Sequence, residues 1–237
     1  MPSEFASGAS SADEEPAWGL RARTVPRWPA LLAVLAAAIL YRLLPDRLVL
    51  NFAGNGHVRD AVPFLELALL IPLALTNVRS SWQRGAWQRP AAIVLIVIVN
   101  AGNVVSLGWL VYYLLHSGQA SGKELLVSAV NIWLTNILVF SLWYWELDRG
   151  GPLARCEPKH REPDFLFPQM ITPGATQGRW SPSFIDYLYV SFTNATAFSP
   201  TDTMPLTQWA KALMSAQALA SLLTVALVAA RAVNILG

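Results

Sequence analysis

The feature that most constrains this chain is a series of apolar blocks long enough to cross a bilayer. The clearest runs from 91 to 115, and 93–99 contains no polar side chain. A helix rises 1.5 Å per residue, so about 20 apolar residues cover a hydrocarbon core of about 30 Å. Further blocks occupy 28–44, 61–78, 125–146 and 206–236, the first of them short. Composition agrees with this reading: 54% of the residues are hydrophobic and 14% are charged. Soluble domains carry about 25% charged residues, so too few polar groups remain here to cover a water-facing surface. The expectation is an all-α, polytopic transmembrane helical bundle of about five spans plus one short pore-helix-like or re-entrant segment. Its first partner is the lipid bilayer.

The flanks of the blocks carry the topology. Arg21, Arg23 and Arg27 precede the first block, and Arg79, Arg84 and Arg89 lie in the loop before the 91–115 block. The positive-inside rule puts both stretches on the cytoplasmic side, with 116–124 outside and 147–182 inside. A multi-pass protein of the bacterial inner membrane is expected. Tryptophans at 28, 82, 87, 143, 145, 180 and 209 stand near block ends, where indole rings sit at headgroup level. With basic residues spent on span edges and a net charge of +2, no nucleic-acid partner is expected. Residues 1–27 read as a disordered tail, followed by a retained first span and not a cleaved signal. Residues 147–182, with six prolines, read as an extended linker without a core of its own.

Chemistry-bearing patterns are few. Cys156 is the single cysteine, which excludes an intrachain disulfide, and His57, His116 and His160 lack metal-ligand spacing. No nucleotide-binding glycine loop, nucleophile–His–Asp order or HExxH pattern occurs, so neither an enzyme nor a cofactor or metal site is expected.

One tract does carry a pattern. Residues 186–207 read DYLYVSFTNATAFSPTDTMPLT and lead into the last apolar block. This tract resembles the pore module of the tetrameric cation channels, in which an aromatic- and Thr-rich pore helix leads to a filter ending in Asp, followed by Pro and an inner helix. Thr193 and Thr196 match the family's Thr pair, and Asp202 and Pro205 fall where its Asp and Pro stand. The resemblance covers 125–237, with the fourth block as the outer helix. The tract, and the segment YWELDRGGP at 144–152, also look like those of uncharacterised bacterial integral-membrane families. The resemblance implies a homo-oligomer, a tetramer if it forms a pore, that meets monovalent cations.

The chain departs from that pattern in its filter. A potassium filter uses glycines so that backbone carbonyls point at the ion. Here the tract from Thr196 to Asp202 has no glycine, one extra residue, and Pro200 with its fixed φ. Potassium selectivity by carbonyl rings is therefore not expected. What the tract offers is hydroxyls from Thr193, Thr196, Ser199 and Thr201 and a carboxylate from Asp202, a weakly selective cation path. The same residues also read as a turn and helix cap, with Asp202 or Thr203 capping the last helix and Pro205 in its first turn.

Other polar residues fall inside the blocks. Glu66 is the ionisable one, a candidate for proton-coupled transport or for an interfacial position. Asn100 and Asn103 share a helix face beside Gly102, and with Asn131 and Asn136 they read as interhelical packing groups. Glu146, Asp148 and Arg149, at the end of a block, are expected to meet headgroups and water. Three functions follow as expectations: a channel-like pore; a non-conducting scaffold or assembly protein that keeps the pore-module fold; and a small transporter built on Glu66.

Overall fold

The structure is a computed structural model that describes residues 26, 28–45, 48, 88–116, 122–156, 161–172, 180–197 and 202–236. Among the described residues the chain is a helical bundle, and three helices are long and apolar enough to span a membrane. They are α2 (Gln88–His116), α3 (Gly122–Leu147) and α6 (Gln208–Leu236). The first apolar block forms α1 (Trp28–Leu43), which at 16 residues is a shorter apolar helix. Two further helices are α4 (Pro168–Ile171) and α5 (Phe184–Ala197). Of the about five spans expected, the described residues hold three long ones and one short helix, and the 61–78 block lies outside the described residues.

Helix α3 is the axle of the bundle: α1, α2, α5 and α6 all pack on it. It is the most buried of the three long spans, and its outward-facing apolar residues, Leu126, Val127, Val130 and Leu134, lie in its first half. The other spans bury one stripe each. On α6 the buried positions are Ala210, Met214, Gln217, Ser221 and Thr224, a heptad-like spacing, while Leu219, Leu222, Leu223 and Val225 face outward. On α1 the buried stripe is Ala30, Ala33, Val34, Ala37, Ala38 and Tyr41. Small residues of this kind let helix backbones approach closely where lipid removes the hydrophobic drive for association. Gly102 of α2 serves the same contact, since a Cβ there would stand 3.3 Å from the Tyr41 ring.

Two apolar clusters mark the two ends of the bundle. One joins Ala30, Leu95, Ile96, Leu142, Trp145, Phe165, Phe184 and Met214. The other joins Tyr41, Leu44, Leu110, Leu125 and Ile132, with Val228 packed against it. Helices α1, α2 and α6 therefore run in one direction and α3 runs against them.

The 147–182 region departs from the expected linker. It folds onto the first end of the bundle as two 3-10 turns (Asp148–Gly150 and Ala154–Cys156), a short strand β1 (Phe165–Leu166) and α4. Strand β1 pairs antiparallel with β2 (Met204–Pro205), in the register Phe165 to Pro205. Phe165 and Phe167 are buried in the main cluster. The prolines break regular structure, as the sequence implies, but the aromatic residues between them supply apolar area that the bundle end covers.

Candidate functional site

Helix α5 is where the tract singled out by sequence lies. Its first turn packs beside the end of α3, with Phe184 against Trp145 at 6.0 Å between ring centroids. Further along, Phe192 lies against Trp133 at 6.4 Å, twelve residues earlier in α3. The chain is then back at the starting end, because β2 pairs with β1 and the β1 residue Phe165 lies 5.1 Å from Tyr144. At 14 residues, α5 is about 21 Å long. It goes part of the way into the bundle, and the segment leaves from and returns to the same end.

A neutral polar network fixes α5 between α3 and α6. Gln217 of α6 is its hub. The Gln217 Oε1 accepts from the Tyr144 hydroxyl at 2.6 Å and from Asn194 Nδ2 at 2.9 Å. Its Nε2 donates to the Ser191 carbonyl at 2.9 Å and to Ser191 Oγ at 2.7 Å. Ser191 Oγ in turn donates to the Ile137 carbonyl at 2.7 Å, and Asn194 Nδ2 also donates to the Met214 carbonyl at 2.9 Å. Every one of these side chains is buried. Buried amides and hydroxyls are costly unless paired, and here each finds a partner on a neighbouring helix.

Of the residues matched to a filter, Thr193 and Thr196 sit at the far end of α5, and Asp202 lies two residues before β2. Thr193 is half-buried and its hydroxyl donates to the Tyr189 and Val190 carbonyls, both at 3.0 Å. Thr196 is exposed and donates to the Phe192 carbonyl at 2.9 Å and the Thr193 carbonyl at 3.1 Å. Asp202 is exposed, and its Oδ1 accepts from Thr203 Oγ1 at 3.4 Å. Ser199 and Thr201 lie outside the described residues, as does Glu66. The expected cap of the last helix is corrected. Neither Asp202 nor Thr203 caps α6, and Pro205 lies in β2; the cap is Thr207, whose Oγ1 accepts from the Ala210 N–H at 3.3 Å. The reason is the β1–β2 pairing, which keeps 204–205 extended and delays the helix start to Gln208.

Of the four asparagines, two tie helices together. Asn131 Nδ2 donates to the Leu40 carbonyl of α1 at 2.8 Å, and Asn136 Nδ2 donates to Ser221 Oγ of α6 at 2.9 Å. Asn103 is buried and Asn100 half-buried on α2.

A second polar site, charged this time, lies at the end where α3 stops. Asp148, Arg149 and Glu146 are 0%, 2% and 3% exposed, so charge expected at headgroups and water is instead inside the fold. Asp148 Oδ2 accepts from the Tyr187 hydroxyl at 2.6 Å, and its Oδ1 accepts from the Asp164 N–H at 2.8 Å. Asp164 answers: its Oδ2 accepts from the Arg149 N–H at 3.0 Å, and its Oδ1 accepts from Thr207 Oγ1 at 2.8 Å. Arg155, 1% exposed, donates through Nη1 to the Trp145 and Asp148 carbonyls at 2.8 and 3.0 Å. Those are carbonyls at the C-terminal end of α3, where the helix dipole favours a cation. The guanidinium also lies over the Tyr187 ring at 5.3 Å and the Trp145 ring at 5.8 Å.

The backbone turn that builds this knot is unusual. Arg149, Gly150 and Gly151 all have positive φ, at 53°, 83° and 103°. Glycine takes such angles without steric cost, whereas a bulky residue such as Arg149 rarely does. At Gly151 a Cβ would also stand 3.0 Å from the Glu146 carbonyl oxygen. The knot therefore joins the end of α3, β1, the start of α5 and the cap of α6, and so sets the angle at which α5 enters the bundle.

Sequence reading missed Gln217, Asn194, Ser191, Tyr144, Arg155 and Tyr187. A signal for Gln217 was present: with Ser221 and Thr224 it forms a polar stripe at i, i+4, i+7 on an otherwise apolar helix. Arg155 had none, because its burial depends on the turn at 149–151. Among the described residues no group of three or more His, Cys, Asp or Glu side chains is placed to hold a metal ion. No protein-family model, curated protein or solved structure matches the chain.

Proposed function

We propose that this membrane protein is a weakly selective, channel-like cation pore built as a homo-oligomer, tetrameric in the conducting form, in a bacterial inner membrane. The observation that carries the reading is the half-helix α5, which enters the bundle from one end, stops part-way, and hands the chain back to that end before the long α6 begins. A half-helix ending at depth aims its unpaired carbonyls and the negative end of its dipole at one place, which favours a cation there. Thr193 and Thr196 strengthen the effect. Each hydroxyl proton is donated back to the helix, so the oxygen lone pairs are left as acceptors. Asp202 adds an exposed carboxylate on the returning chain, two residues before β2. On the arginine distribution, α5 enters from the cytoplasmic side.

The experiment is cation flux from purified full-length protein in liposomes, comparing wild type with Asp202→Ala. Wild-type flux several-fold above empty liposomes is expected, with a drop on Asp202→Ala of about tenfold. Background flux in both proteins ends the reading.

One observation favours a non-conducting scaffold instead. The polar side of α5 is spent on its own bundle through Asn194 and Ser191, while Ile185, Tyr189 and Phe192 point outward. A monomer in detergent and in nanodiscs, with partner proteins retained through that apolar face, is the outcome that selects it.

A further inference from the structure

A groove of about 400 Å³ opens beside the Gly150–Gly151 turn, within the size range of small-molecule sites of about 300–1,000 Å³. Its walls come from the three long spans at the plane where they end: Arg89 in the first turn of α2, Trp143 and Leu147 in the last turns of α3, and Trp209 and Leu213 in the first turns of α6. That plane is where a bilayer places its headgroups. We infer that this groove is a site for the phosphodiester headgroup of a membrane phospholipid, held by Arg89 and Arg161.

The open arginine donors select the ligand. Both arginines line the groove and are exposed, and among the described residues neither has an acidic partner. Of the two acids in the groove, Asp164 already accepts from Arg149 N–H and from the Thr207 hydroxyl. Glu162 is the other, and it is exposed. Nearby Glu146 is buried and has a partner of its own. The lining thus holds two guanidiniums and two carboxylates, and what is left open is the arginine donors, whose planar forks match the oxygens of a phosphodiester.

The glycine turn explains why the two cations share one site. A Cβ at Gly150 would lie 3.9 Å from Arg161 Nε, and a Cβ at Gly151 would lie 3.7 Å from Arg89 Nε. Both stems thus run along adjacent bare stretches of backbone, and their forks reach the same opening. The rest of the groove is apolar. Trp209 is 77% exposed and stands with Leu213 on the first turns of α6, a surface suited to the start of an acyl chain. Free phosphate would use the arginines and leave that surface empty, which is why the lipid is assigned.

The test uses full-length protein purified in mild detergent, with retained phospholipid read by native mass spectrometry. In a second arm, thermal unfolding is followed on adding back phosphatidylglycerol or the same concentration of inorganic phosphate. Wild type is expected to keep a bound phospholipid and to gain stability with phosphatidylglycerol and not with phosphate. Arg89→Gln combined with Arg161→Gln should lower retention by at least about tenfold, given the strength of charge-assisted contacts. Glu162→Gln, which keeps both arginines and removes the opposing charge, should raise retention, and it covers the case of a double variant that does not fold. Equal retention in wild type and the double variant overturns the site. An equal gain in stability with inorganic phosphate overturns the lipid assignment, and unchanged or lower retention in Glu162→Gln overturns the charge argument.

Discussion

The two buried polar regions of this protein solve the same problem in different ways. At mid-depth, Gln217, Asn194, Ser191 and Tyr144 are neutral, and each is hydrogen-bonded across a helix interface. At the end of α3, Asp148, Arg149 and Arg155 are charged and incompletely paired: Arg149 Nε and Arg155 Nε and Nη2 have no hydrogen-bond partner. Within the bundle, carbonyls already serve their own helix, and the neutral side chains pair with one another or share those carbonyls, as Gln217 does with Ser191 and Asn194 with Met214. At the helix end, unpaired carbonyls of α3 are available, and Arg155 takes two of them. Charge is buried where the helix end leaves carbonyls unpaired, and neutral groups where they pair with one another or share a carbonyl with its own helix.

Three substitutions sharpen this contrast. The largest effect is expected from Asp148→Ala, which leaves two buried guanidiniums without their carboxylate and frees the Tyr187 hydroxyl. Losing one partner of a buried charge pair costs about 3–5 kcal/mol, and thermal unfolding in detergent should show a correspondingly large fall in Tm. If Asp148→Ala unfolds like wild type, the knot is not what holds this end together.

Gln217→Leu should come next. It removes the hub of the neutral network and leaves Tyr144 and Asn194 short of an acceptor, a loss of about 1–3 kcal/mol. Combining it with Tyr144→Phe separates coupling from packing. The double variant should be less destabilised than the two single losses added together, because both remove the same 2.6 Å bond. Simple additivity would show that the hub acts only by filling space.

The smallest effect on stability is expected from Thr193→Val and Thr196→Val, within about 0.5 kcal/mol each. Their hydroxyls bond only to their own helix, so unfolding measurements should barely register the change. A fall in cation flux at unchanged stability would then separate a role in conduction from a role in packing.

The architecture was legible in the chain where a single local rule decides it. The blocks at 91–115, 125–146 and 206–236 became α2, α3 and α6, because a run of that length and hydropathy has no other way to satisfy its backbone in lipid. The polar stripe of α6 left a signal that went unread: Gln217, Ser221 and Thr224 repeat at helical spacing. Asn131 and Asn136 were identified as packing groups by type, and their bonds to Leu40 and Ser221 supply the partners.

What the sequence alone determined about this protein is therefore its solvent and its long helices. Apolar length and charge scarcity are sums over neighbours in the chain, and they require no knowledge of what packs on what. The tertiary structure decided how the C-terminal third is used. Whether 183–205 crosses or returns depends on the pairing of β1 with β2, two segments forty residues apart. The burial of Asp148, Arg149 and Arg155 depends on a left-handed turn at 149–151 that brings Asp164, Tyr187 and Thr207 to one place. Contacts of that range leave no period in the sequence: a charged triplet at a span end reads the same whether it meets water or a knot of its own chain.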